Sequence, residues 1–564
     1  MQFSFSNISG LIKANWKAGL TVALISVPLS IALSVASGAG PIPGVIAGIW
    51  ATIIAGIFGG NNYNIIGAAG ALTTVLFAAT LAAPLGLGAA ALPLIALASG
   101  IIILLVWLIR ADRFLYYIPS SIMYGFAGGV AFLIAASQLF DATGLSALKR
   151  TGTFLGDIAL YAAHAGETSV AAVSVFAVFL VFILVWKRFI KKLPAVIPAA
   201  ALGIAFGYGV ELFFPSLGLI TLGDKFGSFA ATLVLPVAWE AVPRLLGDGE
   251  ALKWLLTISG VVALISVLET LITAQIADKI TKTQSSSRKE LLGLGLANLG
   301  SGAMGGLPAT GVFIRTGANI KAGATHKTSA VLAALFTAGI ALLILPFFIY
   351  IPMAVIAAIL VNTALGLIET HKFVEFWQRE KVSFAIAILV LAVTILEDAG
   401  LAVVVGAVLS LLFFADNVSH GYFDIIFNFV GGGKREEFRA KVLTIPSGEP
   451  IAFITYSIAG SLGYIDAPRH AANFRHLARA ENVPTVIIRL RNLFSIDYEG
   501  EDMLLDAVRE LEGKGKRVFL ASCSTDMQER LMKFPEIARM KEEGRIFTRS
   551  RDAILSIDPS WRTS

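Results

Sequence analysis

Long apolar stretches alternate with short polar segments up to about residue 417. A run of roughly 20 mostly apolar residues is long enough to cross the hydrocarbon core of a bilayer as an α-helix. The pattern therefore predicts two sets of seven membrane helices. The first set is expected at residues 18–37, 43–59, 66–84, 89–109, 117–139, 168–186 and 195–214. The second set is expected at residues 253–276, 290–304, 311–321, 328–350, 353–369, 382–396 and 400–417.

The composition agrees with a polytopic α-helical membrane protein. Of the 564 residues, 56% are hydrophobic and only 15% are charged, which is too apolar for a soluble globular protein. The small net charge of +6 comes from basic residues that flank the apolar spans, so we expect contact with a lipid bilayer and no nucleic-acid partner. Residues 1–17 are amphipathic, and we expect them to form a separate segment at the membrane face.

The distribution of basic residues among the loops predicts an orientation. Lysine and arginine are enriched in loops that face the cytosol. The basic clusters at residues 110–113, 187–192, 279–289 and 372–381 all fall in cytosolic loops if the N-terminus is cytosolic. We therefore expect a multi-pass protein of the cell membrane with both termini in the cytosol.

The third predicted span of each set is short and interrupted. One opens with Gly67-Ala-Ala-Gly-Ala-Leu-Thr73 and the other with Pro308-Ala-Thr-Gly311. Matched interruptions of this kind indicate an inverted repeat with a binding site between its halves. A half-helix that begins near Thr310 would direct its free N–H groups and positive dipole end into the protein, with Arg315 one turn further on, which favours a small anion. The alternative is that these glycines only let the helices pack closely.

Glu269 is the only acid in the apolar run from Trp254 to Ala277. A charge at the centre of a membrane helix costs roughly 2.5–3.5 kcal/mol even on the lenient insertion scale, so a function is expected. Ser266 and Thr273 lie three residues before and four residues after it, so they share its helix face. This face could bind a coupling proton or a sodium ion; the alternative is a structural carboxylate paired with Arg315.

Several classes of function lack sequence support. The six histidines are scattered, so no metal site is predicted. No phosphate-binding loop or nucleophile motif is present, so the sequence indicates neither an enzyme nor an ATP-driven pump, and no cofactor is expected. The single cysteine, Cys523, excludes a disulfide within one chain.

The pattern changes near Arg435 to that of a soluble α/β domain. Short β-branched strands are expected at Pro450–Tyr456, Thr485–Leu490 and Arg517–Ala521, and helices at Glu501–Glu512 and Asp526–Lys533. We therefore assign residues 18–430 to a membrane domain, with repeats at about 18–214 and 253–417, and residues 440–557 to an α/β domain.

Four segments together resemble the sulfate permease (SulP) family with its C-terminal STAS domain. They are GGLPATGVFIRTGANIKAG at 305–323, ETLITAQIADKITKTQSSSRKELLGLGLANLGSG at 269–302, VPLSIALSVASGAG at 27–40, and the α/β domain. The resemblance implies fourteen helices in a 7+7 inverted repeat, divided into a core that carries the anion and a gate. It also implies alternating access and a homodimer.

The resemblance further implies that the anion binds between the starts of the third and tenth helices. The residues at these starts are Gly70, Ala71, Leu72 and Thr73, and Thr310, Gly311, Val312, Phe313, Ile314 and Arg315, with Pro28 and Leu29 of the first helix nearby. Many relatives have hydroxyl or other polar residues where this chain has Ile314 and Leu29, so backbone N–H groups are expected to do more of the binding. The STAS loop reads Asp497-Tyr-Glu-Gly500, and its Glu499 cannot be phosphorylated.

These features predict a secondary transporter of small oxyanions, with sulfate as the first choice and a proton as the coupling ion. The close alternative is a sodium-dependent bicarbonate transporter, in which Glu269 and Thr273 would be cation ligands. A dicarboxylate transporter, and an anion channel or sensor that depends on the STAS domain, are the remaining alternatives.

Overall fold

A computed structural model gives the structure of the chain. It describes residues 5–110, 119–190, 193–229, 232–397, 399–419, 422–431, 433–440, 442–446, 450–559 and 561. The chain forms two compact units, Met1–Ser410 and Leu411–Ser564.

The first unit is helical apart from two very short strands. The helices of its first half are α1 Phe5–Ala36, α2 Pro41–Phe58, α3 Gly70–Leu81, α4 Ala91–Leu108, α5 Ser120–Ser137, α6 Leu139–Ala142, α7 Phe154–His164, α8 Val170–Phe189, α9 Val196–Phe213, α10 Leu222–Phe226 and α11 Val242–Gly247. The helices that follow are α12 Gly249–Thr281, α13 Ser287–Ala303, α14 Phe313–Lys321, α15 Thr328–Ile344, α16 Met353–Leu367, α17 Thr370–Arg379, α18 Lys381–Leu396 and α19 Ala399–Ser419. The strands are β1 Ile66–Gly67 and β2 Thr310–Gly311.

Each of the fourteen predicted spans contains one of these helices. Among the described residues, nine helical stretches are long and apolar enough to cross a membrane, and three shorter helices are also apolar. The shorter group includes α3, which follows one of the interrupted segments. The prediction of a polytopic helical membrane protein is confirmed.

The helix contacts have the reciprocal pattern of an inverted repeat. Helix α1 packs against α14, and its counterpart α12 packs against α3. Likewise α15 packs against α1 and α2, whereas α4 packs against α12 and α13. Helices α5 and α8 pack against α18 and α16, respectively. The contacts thus define a core of α1–α4 and α12–α15, and a gate that includes α5, α8, α16 and α18.

The predicted separate segment at residues 1–17 is not observed in the part that is described. Helix α1 begins at Phe5 and continues to Ala36 without a break. The side chain of Asn15 is fully buried, and its Oδ1 accepts hydrogen bonds from the backbone N–H groups of Thr325 at 2.9 Å and His326 at 3.2 Å. This tertiary contact with the loop after α14 is invisible in the local pattern, which shows only an amphipathic stretch.

The two interrupted spans were expected to contain only short helices, but each also contains a two-residue strand. Strands β1 and β2 pair antiparallel, with Ile66 opposite Gly311 and Gly67 opposite Thr310. Helix α14 therefore begins at Phe313 rather than near Thr310, and α3 begins at Gly70. The reason is that extended backbone here finds partners on other elements, as when the Val312 N–H donates to the carbonyl of Ile65 at 2.8 Å.

The second unit is an α/β domain built on a six-stranded sheet. Its strands are β3 Tyr422–Phe429, β4 Lys434–Ala440, β5 Ile451–Leu462, β6 Thr485–Ile496, β7 Arg517–Ala521 and β8 Ile546–Phe547. Its helices are α20 Ala467–Arg479, α21 Tyr498–Gly513, α22 Thr525–Leu531, α23 Pro535–Glu542 and α24 Ser550–Ile557. The strand order is β4-β3-β5-β6-β7-β8, with β5 to β8 parallel and β3 and β4 antiparallel. Separate apolar clusters cover the two faces of this sheet.

This sheet begins earlier than the predicted domain start at residue 440. Strand β3 pairs with β5 along its whole length, and β4 pairs with β3. The alternating residues Phe423, Ile425 and Phe427 are all fully buried. The sequence YFDIIFNF follows the last apolar helix almost directly, so the local pattern alone does not separate it from the membrane domain.

A buried histidine in this domain gives a prediction about pH and stability. The Tyr456 hydroxyl is hydrogen-bonded to Nδ1 of His470 at 2.8 Å and accepts a bond from the side-chain amide of Asn473 at 2.9 Å. Burial, aided by the charge of Arg469, lowers the pKa of His470 from 6.5 to about 4. His470 is therefore neutral in the folded domain at neutral pH.

We expect the domain to lose stability as the pH falls from about 6.5 toward 4. The unfolded histidine binds a proton over this range and the folded one does not, so stability is complete above the upper value and decreases by up to about 3 kcal/mol below it. Hydrogen exchange of β5 and β6 in the full chain measures this loss. The variant His470→Asn keeps an acceptor for Tyr456 but cannot titrate, so an equally steep pH dependence in that variant would refute the assignment.

Candidate functional site

The antiparallel pair of β1 (Ile66–Gly67) and β2 (Thr310–Gly311) is called the strand crossing below. Hydroxyl groups of α12 hold it in place. The Thr270 hydroxyl oxygen accepts a hydrogen bond from the Gly311 N–H at 2.8 Å and lies 3.1 Å from the hydroxyl of Thr310. The Thr273 hydroxyl donates to the carbonyl of Gly311 at 3.2 Å, and the Thr310 hydroxyl donates to the carbonyl of Ser266 at 3.1 Å. Helix α12 thus fixes both the backbone and the side chains of β2.

Both half-helices begin beside this crossing without a side-chain cap. The N-cap residues are Ala69 for α3 and Val312 for α14, and neither has a side chain that can accept a hydrogen bond. The first N–H groups of a helix have no partner within the helix, and the helix dipole is positive at this end. The two helix starts are therefore suited to binding an anion through backbone N–H groups.

Apolar side chains from both the core and the gate cover these helix starts. A methyl group placed on Gly70 would lie 3.0 Å from Cδ1 of Ile134 in α5 and 3.4 Å from Cδ1 of Leu367 in α16. The same methyl would lie 3.9 Å from a methyl of Leu33 in α1, and one on Gly366 would lie 3.8 Å from Cδ1 of Ile314. The predicted substrate residues thus lie where the core meets the gate.

The other predicted residues around α3 and α1 are buried and satisfied locally. Ala71 and Leu72 are buried, and the Thr73 hydroxyl donates to the carbonyl of Gly70 at 2.8 Å. Pro28 lies inside α1, and Leu29 beside it is buried. These side chains therefore shape the site, and the backbone N–H groups remain the available ligands.

Arg315 is fully buried and has no carboxylate partner within ion-pair distance in the described chain. Its Nη2 donates to the Ser30 hydroxyl at 2.9 Å, whereas Nε and Nη1 are buried without partners. Glycines make room for it, since a methyl on Gly67 would lie 2.6 Å from Nη1 and one on Gly48 3.6 Å away. The alternative of a pair with Glu269 is therefore not observed, and Nε and Nη1 remain without acceptors. Arg315 instead places a fixed positive charge behind the strand crossing.

Glu269 faces the strand crossing from α12. It is half-buried, and its carboxyl lies within hydrogen-bonding reach of the Thr310 hydroxyl. Its Oε2 is buried without a hydrogen-bond partner, and so is the hydroxyl of Ser266 one turn earlier. The structure therefore brings Ser266, Glu269 and Thr273 together beside β2, and it leaves two polar groups of this set unsatisfied.

Two residues that the sequence interpretation missed are central to this geometry. Ser30 holds Arg315, and Thr270 holds Gly311. A signal for Ser30 was present, because Ser26, Ser30 and Ser34 recur every fourth residue in an otherwise apolar helix and therefore share one face. Thr270 gave no comparable signal, since a threonine next to Glu269 is expected to point away from its face.

A cavity of about 90 Å³ lies between α3, α5 and α7, and Thr73 of the predicted site is among its lining residues. Arg150 and Asp157 both line it, and the Nε of Arg150 donates to the Asp157 carboxylate at 2.9 Å. The Arg150 guanidinium also lies 4.2 Å from the ring centre of Phe77. Asp157 already neutralises the positive charge of Arg150. The cavity therefore attracts an anion less strongly than the strand crossing does.

Two glycines of the same segment give a matched test of the strand crossing. A methyl on Gly311 would lie 2.9 Å from the Thr270 Cα and 3.1 Å from the side chain of Asn64, so the backbone must shift. A methyl on Gly317 in α14 meets nothing within 4 Å. We expect Gly311→Ala to destabilise the protein by about 1–3 kcal/mol and to abolish transport. Gly317→Ala should be neutral or stabilise α14 by roughly 0.5–1 kcal/mol.

Thermal unfolding in detergent and uptake in proteoliposomes measure both variants. Normal transport by Gly311→Ala would show that the close approach of α12 to β2 is not required. Loss of transport by Gly317→Ala would show that any added methyl in this segment is harmful, which the account does not predict.

Comparisons with known proteins agree with this architecture. The family model of the sulfate permease family matches residues 12–390. A putative sulfate transporter, YvdB, of Bacillus subtilis strain 168 is 28% identical over 402 residues, which are 71% of this chain and 73% of that protein. The bicarbonate transporter BicA of Synechocystis is 24% identical over 562 residues, which cover 96% of this chain and 94% of that protein.

The fold is also similar to that of a solved structure. The murine Solute Carrier 26 family member A9 (Slc26a9) anion transporter in the inward-facing state superimposes with a TM-score of 0.77 at 13% identity. The match covers 99% of this chain and 96% of that chain, including the C-terminal α/β unit. The fold and the match to the family model together show that the chain belongs to the sulfate permease family of anion transporters.

Proposed function

We propose that the protein is a secondary active transporter that carries a small inorganic oxyanion, sulfate first, together with a proton by alternating access. One observation carries the coupling. Ser266 Oγ and Glu269 Oε2 lie on one face of α12, beside the anion site, and both are buried without a hydrogen-bond partner. An ionised carboxylate oxygen that is buried without a donor is unfavourable, so this position favours the protonated form of Glu269.

The charge of the site supports an oxyanion. Each helix start contributes about half a positive charge, and buried Arg315 contributes a full one. The total is about +2 when Glu269 is protonated and about +1 when it is ionised. A divalent anion therefore matches the protonated site, and its binding favours the protonated form.

The coupling free energy between anion and proton binding is large enough to link their transport. At an assumed separation of about 6 Å and an effective dielectric constant near 20, one added negative charge disfavours ionised Glu269 by roughly 2.8 kcal/mol. Linkage is reciprocal, so the proton strengthens anion binding by the same free energy, or about a hundredfold. Anion and proton then bind and cross together, which is the requirement for symport.

Sulfate uptake into proteoliposomes, with and without an inward proton gradient, tests the proposal. We expect accumulation only with the gradient. Competition by bicarbonate, chloride and fumarate in the same assay ranks the substrates, and fumarate as the best competitor would favour the dicarboxylate alternative. Uptake that ignores the gradient would contradict proton coupling.

The second candidate is a sodium-dependent bicarbonate transporter. The similarity to a bicarbonate transporter over nearly the whole chain favours it, because that match includes the C-terminal unit. The carboxylate of Glu269 and the hydroxyl of Thr273 are oxygen ligands of the kind that hard cations prefer. Labelled bicarbonate uptake that requires sodium and is independent of pH would support this candidate over the first.

The predicted orientation and assembly complete the proposal. Both termini in the cytosol and a homodimer remain predictions, the second implied by the family resemblance. Protease access to the C-terminal unit in sealed vesicles tests the orientation, and native mass spectrometry in mild detergent tests the assembly.

A further inference from the structure

Glu290, in the first turn of α13, is a buried acid that the transport proposal does not use. Only 2% of its surface is exposed. Its Oε2 accepts hydrogen bonds from the backbone N–H groups of Gly60 at 2.7 Å and Asn61 at 2.8 Å. Its Oε1 accepts a bond from the side-chain amide of Asn64 at 2.7 Å. All three donors lie in the loop that leads from α2 into β1, so this carboxylate organises the loop.

The carboxylate fixes the direction of a chain of hydrogen bonds. Two backbone N–H groups, which can only donate, already bind Oε2 and favour the ionised carboxylate. That form only accepts, so Asn64 presents its NH₂ group to Glu290 and its carbonyl oxygen to the other side. On that side the Thr316 hydroxyl donates to Asn64 Oδ1 at 3.1 Å. The Thr316 oxygen is then free to accept the backbone N–H of Ile65, which it does at 3.0 Å.

This chain ends at the anion site. Ile65 directly precedes β1, and its carbonyl accepts the N–H of Val312, the N-cap residue of α14, at 2.8 Å. The amide of Asn64 also donates to the carbonyl of Thr270 at 3.3 Å. The loop, α12, α13 and α14 are therefore joined through Asn64, next to the crossing of the two strands.

The loop has little freedom to move away from α13. A methyl on Gly60 would lie 2.3 Å from the carbonyl oxygen of Ser286, and one on Gly293 would lie 2.7 Å from the Cα of Gly59. Such close backbone approach means that a change in the chain of hydrogen bonds cannot be absorbed by a simple displacement of the loop.

The charged groups around Glu290 do not replace these donors. Asp278 of α12 reaches the same loop through the amide of Asn61 at 3.2 Å. The oxygens of Asp278 are themselves bonded, by the hydroxyls of Thr283 at 2.9 Å and Ser285 at 2.7 Å. In the described ranges no lysine, arginine or histidine lies within ion-pair distance of Glu290. The carboxylate is therefore held by N–H groups alone.

We propose that Glu290 is a positioning residue for anion transport. Its carboxylate sets the direction of the chain Glu290–Asn64–Thr316–Ile65 and thereby fixes the strand crossing that aligns the starts of α3 and α14. This inference rests on the anion transport of the family and does not depend on proton coupling.

Replacing Glu290 by glutamine introduces an N–H donor at a position where all the neighbouring groups are donors themselves. In Glu290→Gln the new NH₂ group faces either the loop N–H groups or the NH₂ of Asn64. A flip of Asn64 relieves this clash, but its NH₂ group then faces Thr316. The Thr316 hydroxyl would have to accept from both Asn64 and Ile65, and its own proton would lose its acceptor. One bond of the chain is lost in every arrangement.

Adding Asn64→Asp to Glu290→Gln restores an acceptor for the donor that glutamine introduces. With Asn64→Asp added, the introduced glutamine accepts the loop N–H groups through its carbonyl and donates to the introduced aspartate. The other oxygen of that aspartate accepts the Thr316 hydroxyl as before. The single variant Asn64→Asp, in contrast, places two carboxylates against each other, which is destabilising. Only the double variant restores the direction of the chain, although it lacks the bond from residue 64 to the carbonyl of Thr270.

The experiment compares the wild-type protein, E290Q, N64D and N64D/E290Q by two readouts. Uptake of labelled sulfate gives KM and kcat, and hydrogen exchange by mass spectrometry follows the peptides around Ile65 and Val312. We expect E290Q to raise KM and speed exchange by at least about tenfold, with a smaller change in kcat, because a hydrogen bond to a charged group is lost. We expect N64D/E290Q to lie closer to wild type than either single variant on both readouts. Glu250→Gln, the same change at an exposed residue, should alter neither.

Hydrogen exchange needs no substrate, so it separates this inference from the choice of sulfate. If the wild-type protein does not take up sulfate, the exchange result alone decides. Unchanged exchange in E290Q, or a double variant no better than the two single variants, would overturn the proposal. If E290Q fails to fold, recovery of folded protein by N64D/E290Q supports the proposal and failure of recovery refutes it.

Discussion

Glu269→Gln is expected to abolish sulfate accumulation driven by a proton gradient while anion exchange at equal pH continues. Glutamine keeps the size of the side chain and is neutral, like protonated Glu269, so the site keeps the charge of its anion-binding form. It cannot release a proton, so about a hundredfold of coupling between anion and proton is lost. The measurement is labelled sulfate in proteoliposomes, with and without an imposed pH gradient.

The matched control for this variant is Glu250→Gln, which makes the same change at an exposed residue at the start of α12. It should leave gradient-driven accumulation intact. Gradient-driven accumulation by Glu269→Gln would show that the proton binds elsewhere. Loss of equal-pH exchange as well would assign Glu269 a structural role instead.

Arg315→Gln is expected to weaken anion binding by roughly thirtyfold. The guanidinium is fully buried behind the strand crossing, so its charge is poorly screened by water. Removing one positive charge at an assumed distance of about 8 Å, with an effective dielectric constant near 20, costs roughly 2 kcal/mol of binding free energy. A thermal-shift titration with sulfate measures this loss.

Two further variants separate the charge of Arg315 from its hydrogen bond. Ser30→Ala removes the only described hydrogen-bond partner of the guanidinium, and Arg315→Lys keeps the charge. Both should weaken binding by less than about tenfold, the usual size of one hydrogen bond. If Arg315→Lys binds as weakly as Arg315→Gln, the guanidinium shape matters more than its charge, and the role assigned to Arg315 is wrong.

The helical architecture could be predicted because it depends on local pattern. Bilayer thickness sets the length of an apolar span, and each predicted span contains a helix. The strand crossing could not be predicted in the same way. Thr310 and Gly311 are extended only because Ile66, Gly67 and Thr270 provide partners from elements far away in sequence. Such contacts leave no periodic signal.

The candidate site was predicted at the level of segments rather than side-chain directions. The interrupted segments indicated two short helices, and the structure adds an antiparallel strand pair just before their starts. The direction of Arg315 is decided by a hydroxyl on α1 and by two glycines, Gly48 and Gly67, whose missing side chains leave space for it. A single sequence does not show which of many glycines serves this purpose, so the alternative of an Arg315–Glu269 pair stayed open until the structure showed Arg315 bonded to Ser30.

The α/β domain also contains both elements that the local pattern predicts and elements that it does not. Strands β5, β6 and β7 alternate with helices and were expected, whereas β3 and β4 were missed. The sheet gains β3 because Phe423, Ile425 and Phe427 bury one face against the domain core. Their period-two pattern is short and directly follows an apolar helix, which hides it.

The most direct test of the account is a structure of the protein with selenate, whose anomalous scattering locates the anion. We expect selenate between the first turns of α3 and α14, bound by backbone N–H groups of residues 70–72 and 313–315, with Arg315 still bonded to Ser30 behind it. Selenate bound by the Arg150 guanidinium, or in any position that contacts neither helix start, would contradict this placement.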